Sequence, residues 1–200
     1  MKPFTKVDAK AVALDTANVD TDQIIPARFL WRPRQKGYGD LLFYDALRQP
    51  GFPADPLEAT DAKVMVAGRN FGCGSSREQA VWALVDAGFR VVIAPSFGDI
   101  FYSNCFKNGL LPITLPEIRC AELRAALTRN PGTRMVVDLQ AQTLAGPIGA
   151  SDGFATDHFH VDTFRKELLL TGEDEVGFTL RHPDAIREFA NAYAAAMPWV

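Results

Sequence analysis

Cysteine is scarce in this 200-residue chain: Cys73, Cys105 and Cys120 are odd in number, far apart, and form no Cys-x-x-Cys pair. That arrangement argues against a disulfide framework and against a zinc or iron–sulfur site built from this chain alone. Long apolar runs are missing too. No stretch approaches the ~20 residues of a membrane span, and Met1 to Lys10 alternates charged and apolar residues where a secretory leader would carry an apolar core. A cytoplasmic protein with no membrane partner is expected. Neither sign of charge dominates: 21 basic and 24 acidic side chains are mixed along the chain, for a formal net charge of -3. Without a basic patch there is no electrostatic footprint for nucleic acid. What remains, 48% apolar and 22% charged residues, is the composition of an ordinary globular domain with a sizeable core.

The most informative stretch is Gly68 to Ala87. A short apolar strand, Val64 to Ala67, runs into a turn containing Gly68, Gly72 and Gly74, and an amphipathic helix follows. Such a turn lets a ligand approach the main chain without Cβ atoms in the way. Ser75, Ser76, Arg77 and Glu78 are expected to open the helix, where free N–H groups and the helix dipole favour an anion. The Arg77 guanidinium can grip a carboxylate through two parallel hydrogen bonds. The same residues admit a structural reading, because Ser75-x-x-Glu78 has the spacing of a capping box. Cys73, just ahead of the helix, admits a third, a thiol of lowered pKa. A P-loop lysine and a dinucleotide spacing are both absent, which argues against nucleotides.

Around this unit, Val12 to Leu14 reads as a strand. Asp15, Asn18, Asp20 and Asp22 follow it without the glycine and terminal glutamate of a calcium loop, so a turn that delivers one carboxylate to a site is expected. Arg28 to Gly39 places four cations and three aromatics around a proline and two glycines, the composition of a mobile surface loop. Leu41 to Leu47 has helical spacing, and Gln49 to Asp61 is a proline-rich connector. Strands at Val91 to Ala94 and Leu110 to Leu115, with a helix from Asp99 to Lys107 between them, continue a strand–helix–strand rhythm that predicts a parallel sheet.

Glu117 to Arg129 is a helix with Ile118, Leu123 and Leu127 expected inward. A hairpin of Met135 to Leu139 and Gln142 to Ala145 and a strand from His158 to Val161 come next. His158 and His160 would share a strand face, with no third metal ligand nearby. Phe164 to Leu170 and Pro183 to Met197 are helical, the latter with Ile186, Phe189, Ala190, Tyr193, Ala194 and Met197 in a stripe expected to face the core.

Asn70 to Glu78, reading Asn-Phe-Gly-Cys-Gly-Ser-Ser-Arg-Glu, resembles the signature of the swivelling domain of the aconitase superfamily. Asn18 to Pro26, Ser96 to Pro112 and Gly177 to His182 resemble, in the right order, segments of one branch of it, the small subunits of 3-isopropylmalate dehydratase. The resemblance implies an α/β fold: one swivelling β/β/α domain over residues 1–200, with a mixed, mostly parallel sheet and flanking helices. Residues 28–39 would be a substrate-side loop and 162–200 a C-terminal helical extension. It also implies no cofactor on this chain, a 4Fe-4S cluster on a separate large subunit, and a heterodimer of the two.

The implied reaction is the hydro-lyase isomerisation of 2-isopropylmalate and 3-isopropylmalate through 2-isopropylmaleate, in leucine biosynthesis. Ser75 would be the catalytic base, as an alkoxide, and Arg77 would clamp a carboxylate of the dicarboxylate substrate with Ser76 and the Gly74 amide assisting. Asp22 would support them, and Arg32, Arg34 or Lys36 would reach the substrate from the loop. Gln23 departs from the aconitases, which carry histidine after the Thr-Asp pair, and leaves the substrate less defined than the reaction. Small subunits acting on 2-methylmalate (citraconate) or homoaconitate, a stand-alone anion-binding module and a Cys73 thiol enzyme are the alternatives.

Overall fold

The computed structural model describes residues 1–53, 61–147, 153–197 and 199. Seven strands form one sheet in the order β4-β3-β2-β1-β5-β6-β7. They are β1 (Lys6–Leu14), β2 (Val64–Ala67), β3 (Val91–Ala94), β4 (Leu111–Thr114), β5 (Arg134–Asp138), β6 (Thr143–Pro147) and β7 (Phe154–His158). From β1 to β4 the pairings are parallel. From β1 through β5 and β6 to β7 they are antiparallel, so β1 is the seam of a mixed sheet.

Local sequence explains the difference. Val64–Ala67 and Val91–Ala94 are apolar at every position and buried at every position, as strands covered on both faces require. β7 alternates between exposed and half-buried residues and lies at an edge. The helices are α1 (Thr21–Ile24), α2 (Glu78–Asp86), α3 (Asp99–Lys107), α4 (Glu117–Arg129), α5 (Thr163–Thr171), α6 (Glu175–Leu180) and α7 (Pro183–Ala196).

Alternation along β2 divides the core in two. Met65 and Ala67 join Leu14, Ile24, Phe43, Leu84 and Val92 on one face of the sheet. Val64 and Val66 join Ile93, Ile113, Leu123, Leu127 and Leu169 on the other. Full burial of each such side chain contributes about 1.5–3 kcal/mol, so both faces hold the sheet firmly. Register then positions the site: Leu14 pairs with Ala67, so β1 and β2 end level and release Asp15 and Gly68 side by side.

Several expectations change. Ile118 is 77% exposed; the residues of α4 that turn inward are Cys120, Leu123, Arg124, Ala126 and Leu127. At 100° per residue, Ile118 lies about 140° from Leu123 and faces away. The last strand is Phe154–His158 rather than His158 to Val161, because Gln142 takes the following backbone off the sheet: its carbonyl accepts from Phe159 N and its side chain from Val161 N. His160 thus lies beyond the strand. Most of the 49–61 connector lies outside the described residues.

The stripe on α7 does not face this chain's core. No residue of α6 or α7 is buried, and Phe189 is 70% exposed. Amphipathic spacing says that a face is apolar, not what covers it. α5, by contrast, packs Leu168 and Leu169 into the body. Among the described residues no helix is long and apolar enough to cross a membrane.

Candidate functional site

Three strand exits, after β1, β2 and β3, are bound into one surface. Asn18 N donates to Arg69 O at 2.8 Å, Gly72 N to Val19 O at 2.7 Å and Thr21 N to Cys73 O at 2.9 Å. Asn18 and Asn70 both adopt left-handed backbone, φ 55 and 58, and their side chains meet at 2.9 Å. Asparagine tolerates that region better than other side chains. From the β3 exit, the Ser96 hydroxyl accepts from Asn70 N at 2.9 Å and its carbonyl from Phe71 N at 3.0 Å.

Glycine is required at two points of this loop. A Cβ on Gly68 would stand 2.3 Å from the Thr16 carbonyl, and one on Gly72, at φ 72, would stand 2.2 Å from the Phe101 ring. The loop is therefore clamped between the first exit and α3.

The two buried polar side chains among the described residues both anchor this surface. Thr21 Oγ1 donates to Ser75 O at 2.9 Å. Arg124 donates to Ala67 O at 3.0 Å, to Asp15 at 2.7 Å and to Glu117 at 3.1 Å, and so ties α4 to the roots of both loops. Thr21 entered the sequence reading as the first residue of the Thr-Asp pair, without a role of its own, and Arg124 did not enter it. The one available signal was a cation at Arg124, four residues from Cys120 on the inward side of a helix.

The capping box that the Ser75-x-x-Glu78 spacing admits is not formed. α2 begins at Glu78 with Arg77 as its N-cap residue, and the Glu78 carboxylate accepts from Asn108 Nδ2 at 2.9 Å instead. Ser75, held by its carbonyl on Thr21, lies ahead of the helix, and Gly74, Ser75 and Ser76 are exposed. A capping box does exist nearby: the Asp20 carboxylate accepts from Gln23 N at 2.7 Å and the Gln23 side chain accepts from Asp20 N at 3.3 Å. Gln23 fixes α1.

α1 in turn presents Asp22 to Arg77. Each terminal nitrogen of the guanidinium donates to one carboxylate oxygen, Nη2 at 2.8 Å. The Arg77 side chain is 13% exposed and that of Asp22 56%. Gly74, Ser75, Ser76, Arg77 and Asp22 are thus brought together.

Arg32 and Arg34 are not brought to them. Arg32 holds Asp40 at 2.9 Å, and Arg34 holds Asp86 at 2.6 and 2.9 Å. Asp86 is the last residue of α2, about 12 Å of helix from its start. The segment expected to be a mobile loop is a run of short 3-10 turns pinned by these pairs and by Tyr38, which is 1% exposed and donates its N–H to Asp86 at 2.8 Å. The cation that does approach is Arg28. It is paired with Asp45 at 2.6 Å and lines, with Asp20, Asp22 and Gln23, a cavity of about 340 Å³.

The thiol alternative finds no support. Burial first, then the neighbouring Asp20 charge, push the Cys73 thiol above its ordinary range. Burial likewise raises Cys105, and pushes Cys120 up to about 11. Among the described residues no group of three or more histidine, cysteine, aspartate or glutamate side chains could hold a metal ion, His158 and His160 included.

Comparison with known proteins agrees with this architecture. Residues 1–118 match the family of the aconitase C-terminal domain. The 3-isopropylmalate dehydratase small subunit of Leptospira interrogans is 43% identical, over 100% of this chain and 98% of that one. Its counterpart in Dinoroseobacter shibae is 44% identical over 100% of both chains. Among solved structures, 3-isopropylmalate dehydratase (leuD) from Methanocaldococcus jannaschii superposes with a TM-score of 0.61 at 28% identity, covering 92% of this chain and 99% of that one.

Proposed function

The chain belongs to the 3-isopropylmalate dehydratase small-subunit family within the aconitase superfamily, and from that footing we propose how its own residues act. The activity is that of a hydro-lyase: 2-isopropylmalate loses water to 2-isopropylmaleate, which is rehydrated to 3-isopropylmalate on the way to leucine. It is exercised together with a large subunit.

The observation that carries the assignment of roles is the exposed Gly74-Ser75-Ser76 tip, rigidly backed by Thr21 and flanked by the carboxylate-binding Arg77. Ser75 Oγ, as alkoxide, takes the proton from the carbon next to a substrate carboxylate and becomes a hydroxyl. The electron pair left behind forms the double bond as the hydroxyl on the adjacent carbon departs, and hydration with the opposite regiochemistry gives the isomer.

An alkoxide needs a dry, positively biased site. On this chain Ser75 is exposed, so the covering surface belongs to the large subunit. The start of α2 and the Arg77 guanidinium supply the positive bias. Arg77 clamps a substrate carboxylate, and Ser76 and the Gly74 amide complete its contacts. The 4Fe-4S cluster is assigned to the large subunit on the strength of the family resemblance, and no step of this chain runs through it. The protein acts in the cytoplasm.

The test is isopropylmalate dehydration by this chain, by an anaerobically prepared cluster-bearing large subunit, and by the two mixed. Activity in the mixture alone, lost in Ser75→Ala, is expected. Activity of this chain by itself, or full activity of Ser75→Ala, would overturn the reading.

A further inference from the structure

Arg77 is already occupied by a carboxylate of its own chain, and the manner of occupation is informative. A guanidinium has five N–H donors arranged along two edges suited to carboxylates: the end between Nη1 and Nη2, and the side between Nε and Nη2. Asp22 takes the end, one oxygen to each terminal nitrogen. Nε makes no hydrogen bond to any described residue.

Asp22 stands on a rigid mount. α1 is fixed by its Asp20–Gln23 capping box, by Thr21 N on Cys73 O, and by Thr21 Oγ1 on Ser75 O. The same short helix therefore sets the position of both the Ser75 main chain and the Arg77 head group. The largely covered arginine and the half-exposed aspartate also divide naturally, one as the group to be held and the other as the holder.

We propose that Asp22 is a positioning residue that holds the end of the Arg77 guanidinium and thereby turns its Nε–Nη2 edge to the substrate carboxylate, so that Arg77 serves two carboxylates at once. The proposal rests on the assignment of Arg77 as the substrate clamp. It gives the supporting role expected of Asp22 a definite form: Asp22 acts through Arg77. It also predicts that Arg77→Lys raises KM, because an ammonium has no second planar edge and cannot orient two carboxylates.

The experiment is steady-state kinetics of the reconstituted heterodimer carrying Asp22→Ala, Asp22→Asn or Arg77→Lys, with Ser75→Ala alongside. Asp22→Ala is expected to raise KM for isopropylmalate roughly tenfold or more while kcat falls much less, the pattern of lost binding rather than lost chemistry. Asp22→Asn, which keeps one acceptor oxygen and the side-chain volume, should fall between. Adding formate should lower KM of Asp22→Ala by supplying a carboxylate to the vacated end, and should only inhibit the unaltered enzyme; a role confined to folding would not respond to formate.

A KM for Asp22→Ala equal to or below that of the unaltered enzyme would overturn the proposal, the latter because Asp22 would then be a competitor for the substrate's edge. Formate inhibiting Asp22→Ala as it inhibits the unaltered enzyme would overturn it too. If Asp22→Ala fails to associate with the large subunit, Asp22→Asn carries the same readout. An unchanged KM in Arg77→Lys would instead sink the underlying assignment of Arg77 as the clamp, so the two failures are distinct.

Discussion

Thr21 Oγ1 donates to the carbonyl of Ser75 at 2.9 Å, across 54 residues of sequence. The hydroxyl is buried and reaches the main chain of the residue assigned as catalytic base, so the base is set by α1 and not by the helix it precedes. Thr21→Val keeps the shape and removes the donor, leaving the Ser75 carbonyl unpaired. A loss of about 1–3 kcal/mol is expected, with kcat of the heterodimer reduced more than KM is raised. Urea denaturation and steady-state kinetics would check both, and unchanged kcat would show that Ser75 is held by something else.

Arg124 should be a second structural anchor. Asp15, its partner, is well exposed, so removing the guanidinium strands no buried anion; the costs are the orphaned Ala67 carbonyl and the lost packing. Arg124→Met is expected to destabilise the chain by about 1–3 kcal/mol, and Arg124→Ala by more, because a cavity is added. Denaturant midpoints of the two variants would separate these terms; equal midpoints would mean that the site collapses around alanine.

Gly72→Ala should be more damaging than its size suggests. Its Cβ would meet the Phe101 ring at 2.2 Å, and its backbone sits at φ 72. Overpacking and left-handed strain each cost about 1–3 kcal/mol. Thermal unfolding is the measurement, and a Tm within a degree of the unaltered chain would show that α3 yields easily.

Cys73 should be a sluggish nucleophile at neutral pH. Its folded pKa is raised, by burial and by Asp20, above the ordinary value of a thiol, so the thiolate fraction at pH 7 is smaller than that of free cysteine and becomes the major form only above that value. Iodoacetamide should therefore label Cys73 of the isolated chain more slowly than it labels free cysteine at pH 7. Faster labelling would restore the thiol alternative.

Phe189→Ser, on the exposed face of α7, should leave the stability of the isolated chain within about 0.5 kcal/mol, since the residue is 70% exposed. A larger loss in urea denaturation would show that α7 packs on the body in solution.

Spacing and residue type alone determined much of this protein. Four apolar residues in a row at Val64–Ala67, running into a glycine turn, and again at Val91–Ala94 read as buried strands, and both are. The Gly-rich turn before Ser75 needs no tertiary context to be recognised, because positive φ and close approach are written in the glycines. α3 and α4 were also legible with their bounds unchanged, though not the inward face of α4.

Tertiary structure decided what those elements do to one another. Ser75-x-x-Glu78 has capping spacing, yet Thr21 claims the Ser75 carbonyl and Asn108 claims the Glu78 carboxylate, so the helix starts later. Arg34 lies in a segment that reads as substrate-facing, yet Asp86 draws it to the far end of α2. The stripe on α7 is apolar but has no core of this chain to meet. In the first two cases local pattern gives the side chain its capacity, and partners tens of residues away in sequence settle how it is used, because hydrogen bonds and ion pairs are formed with whatever the fold brings within reach.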